Sequence, residues 1–148
     1  MLIALLVAFI VVLIDQGVKY WITMSLPLYQ VRTFIPGTLD LTHIRNQGAS
    51  WGILQGEQFF FVSLTLAVLV YLVYRIYTHR FRSQWVYLGY GCLIGGAIGN
   101  LIDRLLNGYV VDMLAIRWFD FPIFNVADVA LTLGVGVLIL LTVKEIEI

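Results

Sequence analysis

Four long apolar runs leave this chain few choices. They occupy roughly positions 2–24, 59–77, 85–103 and 125–143, and each approaches the length needed to cross a bilayer, about 20 residues. Hydrophobic residues make up 61% of the 148 positions and charged residues only 12%. Soluble domains sit near 45–50% apolar and about 25% charged. A soluble fold of this size has no interior large enough for so much apolar surface, so the solvent must be lipid. The expected fold is an all-α membrane protein of four spanning helices. Its 148 residues leave no room for a second domain.

The first run reads as a span rather than a secretory leader. No basic segment precedes it, and Asp15, Gln16 and Lys19 follow its apolar part instead of a small-residue cleavage site. Direction follows from the basic residues. The link between the second and third spans carries Arg75, Arg80 and Arg82 with no acid, so it is expected in the cytoplasm. Four spans then put both termini there too, in agreement with Lys144. The loops at about 28–58 and 104–124 are expected outside. In the first, Val31–Ile35 and Thr38–Ile44 flank Pro36-Gly37 and read as short strands around a turn. A small sheet on the outer membrane surface is therefore expected between the first two helices.

Seven of the nine acidic residues fall on the outer side of this topology: Asp15, Asp40, Glu57, Asp103, Asp112, Asp120 and Asp128. Glu145 and Glu147 fall on the cytoplasmic tail. An ionisable group within a span is costly unless it is paired or faces a polar cavity, so it is a functional candidate by default. Asp15 and Lys19 are i,i+4 neighbours and can satisfy each other. Asp103 beside Arg104 can mark the water interface. Asp128 has no adjacent basic residue, although the helix N-terminal dipole would tolerate it. Asn46, Asn100 and Asn125 sit at similar depth, and buried amides need partners that carboxylates can supply. The glycines of the third span (Gly89, Gly91, Gly95, Gly96 and Gly99) read mainly as close helix packing. Cys92, the single cysteine, has no assigned role.

The chemistry open to such a set is narrow. His43 and His79 are expected on opposite sides of the membrane, so no Ser-His-Asp set forms, and no HExxH or phosphate-loop motif is present. Two carboxylates held close together share a proton. The ionised one can activate water and the protonated one can polarise a carbonyl. That is aspartic peptidase chemistry, and it needs no cofactor and no metal. A proton channel is disfavoured because the inner halves of the spans hold no acids. A metal-dependent hydrolase would be inhibited by chelators, and a non-enzymatic adaptor has no use for acids gathered at one depth. Net charge is zero, which argues against a nucleic-acid partner.

Five blocks, in order along the chain, sharpen this reading. They are Asp15-Gln16-Gly17-Val18-Lys19, Arg45 to Gly52 (with Asn46, Gly48 and Ala49), Gly95 to Arg104 (with Gly99, Asn100 and Asp103), Gly108 to Asp112, and Phe124 to Asp128. Together they resemble the signal peptidase II family, which removes signal peptides from lipid-modified bacterial prolipoproteins. The resemblance implies that Asp112 and Asp128 are the catalytic pair. It implies that Asn46, Gly48, Asn100, Arg104, Asn125 and Ala127 bind substrate or support the site. Asp15, Lys19 and Asp103 would support the site or hold the fold. The implied substrate carries a diacylglyceryl group on the cysteine just after the cut bond. The implied setting is a monomer in the bacterial plasma membrane, acting at its outer face in contact with membrane lipid. Ser50-Trp51 departs from the family's more usual alanine and phenylalanine.

Overall fold

A computed structural model describes residues 1–49 and 53–143. The Ser50-Trp51 departure and Gly52 lie outside the described residues, as do Lys144, Glu145 and Glu147 of the expected tail. The chain runs α1 (Leu2–Ser25), β1 (Val31–Ile35), β2 (Leu39–Asn46), α2 (Gln58–Thr78), α3 (Gln84–Asn107), β3 (Val110–Ile116) and α4 (Val126–Val143). All four helices are long and apolar enough to cross a membrane. The expected fold class is the observed one.

Helix α3 is the hub. It packs most extensively against α4 and α1, while α2 rests mainly on α3. Accordingly 61% of the most apolar window of α3 is buried, against 11% of that of α2. Small residues make this possible. A Cβ at Gly91 or Gly95 would come within 2.8 Å of the Ala4 or Ala8 carbonyl oxygen on α1. One at Gly96 would come within 2.5 Å of the Ala127 carbonyl oxygen on α4. The glycines therefore set close helix approach, as lipid-embedded helices require.

Helix α3 also runs one turn past the expected end at 103. It stops at Gly108, whose left-handed φ of 75° closes the helix with an N–H to the Arg104 carbonyl. The chain then turns directly into β3.

The sheet is antiparallel in the order β1-β2-β3. The β1–β2 turn contains Gly37 at φ 73°, as Pro36-Gly37 suggested. The third strand was not expected. It comes from the second outer loop and pairs Asn46 with Val110 and Ile44 with Asp112. A shift in register between Leu41 and Ile44 bends the β2–β3 ladder. One face of this sheet covers the end of α1, where Ile22, Leu41, Val111 and Met113 form a small core. β1 is exposed throughout. His43 is a buried strand residue whose Nδ1 lies 2.9 Å from the Leu26 carbonyl oxygen, and it is not near the aspartates in the hydrogen-bond network.

Candidate active site

Two elements deliver the paired aspartates. Asp112 sits near the middle of β3, 3% exposed. Asp128 sits in the first turn of α4. Each is aimed by the local chemistry of its own element.

On the sheet, Asn46 stands opposite Val110, so Asp112 is its diagonal neighbour on the same face. Asn46 Nδ2 donates to Asp112 Oδ2 at 2.8 Å, and Asn46 Oδ1 accepts from the Gly48 N–H at 2.9 Å. At the helix start, Asn125 is the cap. Its Oδ1 accepts from the Asp128 N–H at 3.0 Å, and Asp128 Oδ2 accepts from the Asn125 N–H at 3.1 Å. This is a reciprocal capping box made by an Asn-x-x-Asp spacing. It fixes the Asp128 carboxylate at the mouth of the helix.

Asn125 and Asn100 join the two carboxylates. Asn125 Nδ2 donates to Asp112 Oδ1 at 2.7 Å and to Asn100 Oδ1 at 3.0 Å. Asn100 Nδ2 donates to Asp128 Oδ1 at 2.8 Å. Every oxygen of the two carboxylates therefore accepts one N–H from a neutral amide. Burial pushes the Asp112 carboxyl up to about 6. That value is a balance, since the amide donors Asn46 and Asn125 pull the carboxyl down while the Asp128 charge adds to the upward push of burial. A carboxyl poised there changes protonation within the working range of an acid–base catalyst.

A cleft of about 700 Å³ opens over the pair. Its polar wall includes Asn46, Gly48, Asn100, Arg104 and Asn125. Its apolar wall comes from Phe121 to Phe124 and from Val129 to Leu133 on α4. Arg104 stacks its guanidinium 4.9 Å from the Phe61 ring centroid and reaches the Gly48 carbonyl oxygen at 3.4 Å. Gly48 is boxed in, because a Cβ there would come within 2.5 Å of the Ile53 carbonyl oxygen.

Beneath the pair lies a second, fully buried layer. Lys19 Nζ is 2.8 Å from Asp15 Oδ2, 3.1 Å from Asp103 Oδ2 and 3.0 Å from Asn100 Oδ1. The i,i+4 pairing of Asp15 with Lys19 is therefore real. Asp103 also faces Lys19, rather than marking the water interface with Arg104. Asp15 Oδ1 accepts from the Ala127 N–H and Asp103 Oδ2 from the Val111 N–H, each at 2.9 Å. All eleven residues named from sequence fall in these two layers or on the cleft wall.

Gln16 was quoted in the first block but given no role. Its Nε2 reaches Asp103 Oδ1 and the Gly99 carbonyl oxygen at 3.1 Å, and Asp15 Oδ2 at 3.2 Å. Its place one residue after Asp15 was the only available signal. The cleft wall from Phe121 to Phe124 was also missed. There the Phe124 N–H and C=O pair with Leu114 and so attach the segment to the sheet.

Known proteins resemble this chain along most of its length. The family model described as signal peptidase (SPase) II matches residues 7–144. Lipoprotein signal peptidases of Streptococcus pyogenes serotypes M6 and M2 are each 44% identical over 136 residues, covering 92% of this chain and 90% of theirs. A bacterial membrane enzyme solved by the in meso method at 2.3 Å superposes with a TM-score of 0.91 at 39% identity, covering 96% of this chain and 88% of that one. A second, at 1.9 Å, gives a TM-score of 0.88 at 39% identity, covering 95% and 92%.

Proposed function

This chain belongs to the signal peptidase II family, and from that premise we propose that it removes lipoprotein signal peptides as an aspartic endopeptidase, with Asp112 and Asp128 as its catalytic pair. The observation that carries the reading is the arrangement of amide donors. Two carboxylates are tied together through Asn100 and Asn125, in a cleft of about 700 Å³, with no ion pair to either among the described residues.

The pair holds one proton between its members. The ionised carboxylate takes a proton from water as the water oxygen adds to the scissile carbonyl carbon. The protonated carboxyl donates to the carbonyl oxygen. Collapse of the tetrahedral intermediate breaks the C–N bond, and the leaving nitrogen, that of the lipid-bearing cysteine, receives a proton from the pair. The signal peptide leaves with a new carboxylate. Asn46, Asn100 and Asn125 keep the carboxylates in place, while Arg104 lines the cleft where the substrate backbone or its polar linkage would lie. The apolar wall from Val129 to Leu133 faces where acyl chains in the bilayer would lie.

The site belongs to the outer face, with both termini in the cytoplasm. Arg75, Arg80 and Arg82 cluster at the α2–α3 turn, and Asp103 lies roughly 30 Å farther along α3. Both layers and the cleft wall form within one chain, which supports a monomeric working unit.

The test is a gel-shift cleavage assay on purified enzyme with a lipid-modified prolipoprotein and its unlipidated form, with and without a chelator. Cleavage of the lipidated form alone, unaffected by the chelator, is the expected result. Loss of activity in the chelator would replace the aspartic mechanism with a metal-dependent one. A reporter fused near Thr78 should report cytoplasm and one inserted near Gly37 the exterior, and the reverse would move the site to the wrong face.

A further inference from the structure

The two buried acids beneath the dyad make the same unusual contact. Asp15 accepts the N–H of Ala127, the residue just before Asp128. Asp103 accepts the N–H of Val111, the residue just before Asp112. The receiving peptides lie on different elements, one in the first turn of a helix and one in a strand. The Ala127 N–H is among the helix-start donors that have no partner within the helix, so Asp15 caps α4 from a neighbouring helix. The Val111 N–H borders the Asp112 peptide in β3. A staple that only held helices together would have no reason to land one residue before each dyad member.

The two acids are also joined. Lys19 contacts both carboxylates and Asn100, which occupies all three ammonium protons. Gln16 bridges the same two carboxylates and the Gly99 carbonyl. Gly99 leaves the space Asp15 needs, since a Cβ there would sit 2.6 Å from Asp15 Oδ2. Asp15 is 0% exposed, and Lys19 and Asp103 are each 3% exposed, so water does not loosen the ion pairs among them.

We propose that Asp15 and Asp103 are positioning residues, each fixing one dyad aspartate through the peptide N–H before it, and that Lys19 and Gln16 lock the two holders into one unit. The inference rests on Asp112 and Asp128 being the catalytic pair. It assigns separate roles to the buried acids and gives Gln16 a function. An error of about 1 Å in reacting geometry can cost about 10²-fold in rate. The unit therefore acts on kcat rather than on substrate affinity.

The experiment measures kcat and KM per folded molecule for Asp15→Leu, Asp103→Leu and the double variant, which remove the acceptor oxygens, alongside Asp112→Asn and Asp128→Asn. Each single holder variant should lose about 10²-fold in kcat with KM within about twofold of wild type. The double variant should lose little more than either single one, because the pair acts as a unit. Should the holder variants fail to fold, Gln16→Leu keeps the Lys19 ion pairs and removes the bridge. It should still lower kcat by about tenfold, with KM unchanged. A kcat per folded molecule equal to wild type in Asp15→Leu, Asp103→Leu or Gln16→Leu overturns the proposal, as does a loss that appears only in KM. If Asp112→Asn and Asp128→Asn are dead while the holder variants turn over normally, positioning fails and the dyad stands. If Asp112→Asn or Asp128→Asn turns over, the dyad reading itself fails.

Discussion

Four acids lie within two adjacent layers of this molecule, and their partners differ. Asp15 and Asp103 contact the Lys19 ammonium directly, at 2.8 and 3.1 Å. Asp112 and Asp128 are held instead by neutral N–H donors from Asn46, Asn100 and Asn125. A carboxylate pressed against an ammonium is committed to that charge pair and serves as a fixed acceptor. A carboxylate held by amides keeps its place yet remains free to gain or lose a proton. On the function proposed above, the same residue type builds scaffold in one layer and does chemistry in the next, and the partner decides which.

Exchanging partners should break this division. The largest effect falls on the amide-held layer. Asp112→Asn and Asp128→Asn should each reduce cleavage by about 10⁴-fold while leaving a folded, inserted protein. Near-normal processing by either in a gel-shift assay would merge the two layers into one structural cluster.

Next comes the cation. Lys19→Met strands two buried carboxylates without their common counter-charge, which should destabilise the fold by about 4 kcal/mol. Thermal unfolding in detergent checks this, and an unchanged midpoint would mean that the inner layer is not an ion-pair scaffold.

A smaller effect concerns Asp112 alone. Its carboxyl is raised in the folded state from 3.8 to about 6, so the folded protein favours the protonated form. The contribution to stability is therefore full below the unfolded value and is lost as pH rises through about 6. Relative to Asp112→Asn, the wild type should lose about 2 kcal/mol between about pH 4 and about pH 8. A stability difference that stays flat with pH would show that burial does not hold the proton on Asp112.

The smallest effect lies outside both layers. The half-exposed Arg117, just past the end of β3, places Nε 2.9 Å from Oδ2 of the buried Asp40 at that edge of the β2–β3 ladder. Arg117→Ala should cost under about 1 kcal/mol and leave kcat unchanged. A larger loss would extend the functional region to that edge.

Much of this arrangement was legible in the sequence. The four helices were, because lipid forces about 20 apolar residues into each span. The β1–β2 hairpin was, because Pro36-Gly37 forces a turn between two runs of strand formers. β3 was not. Val110–Ile116 is buried for four residues and partly buried after that, so it has no alternation to betray a strand. Asn46, Asn100 and Asn125 could be read as partners for carboxylates, but which amide served which acid depended on how three segments dock. The capping box was hidden for a related reason, since Asn125 and Asp128 each also serve a group on another element. The division between Asp15/Asp103 and Asp112/Asp128 was implied by the family resemblance, while its physical basis was not legible. It depends on contacts between α1 and α4 and between α3 and β3, and spacing along the chain encodes neither.

The central claim is that Asp112 and Asp128 share one proton and use it to cut a peptide bond. The pH dependence of kcat/KM on a lipid-modified prolipoprotein, with a chelator present, tests it most directly, because that ratio reports ionisations of the free enzyme. The account predicts a bell, falling on the acid side as both carboxyls protonate. On the alkaline side it should fall from near a pH of about 6 as the last shared proton leaves, with apparent values that belong to the pair. A rate that climbs to a plateau at alkaline pH, with a single ionisation, would contradict it.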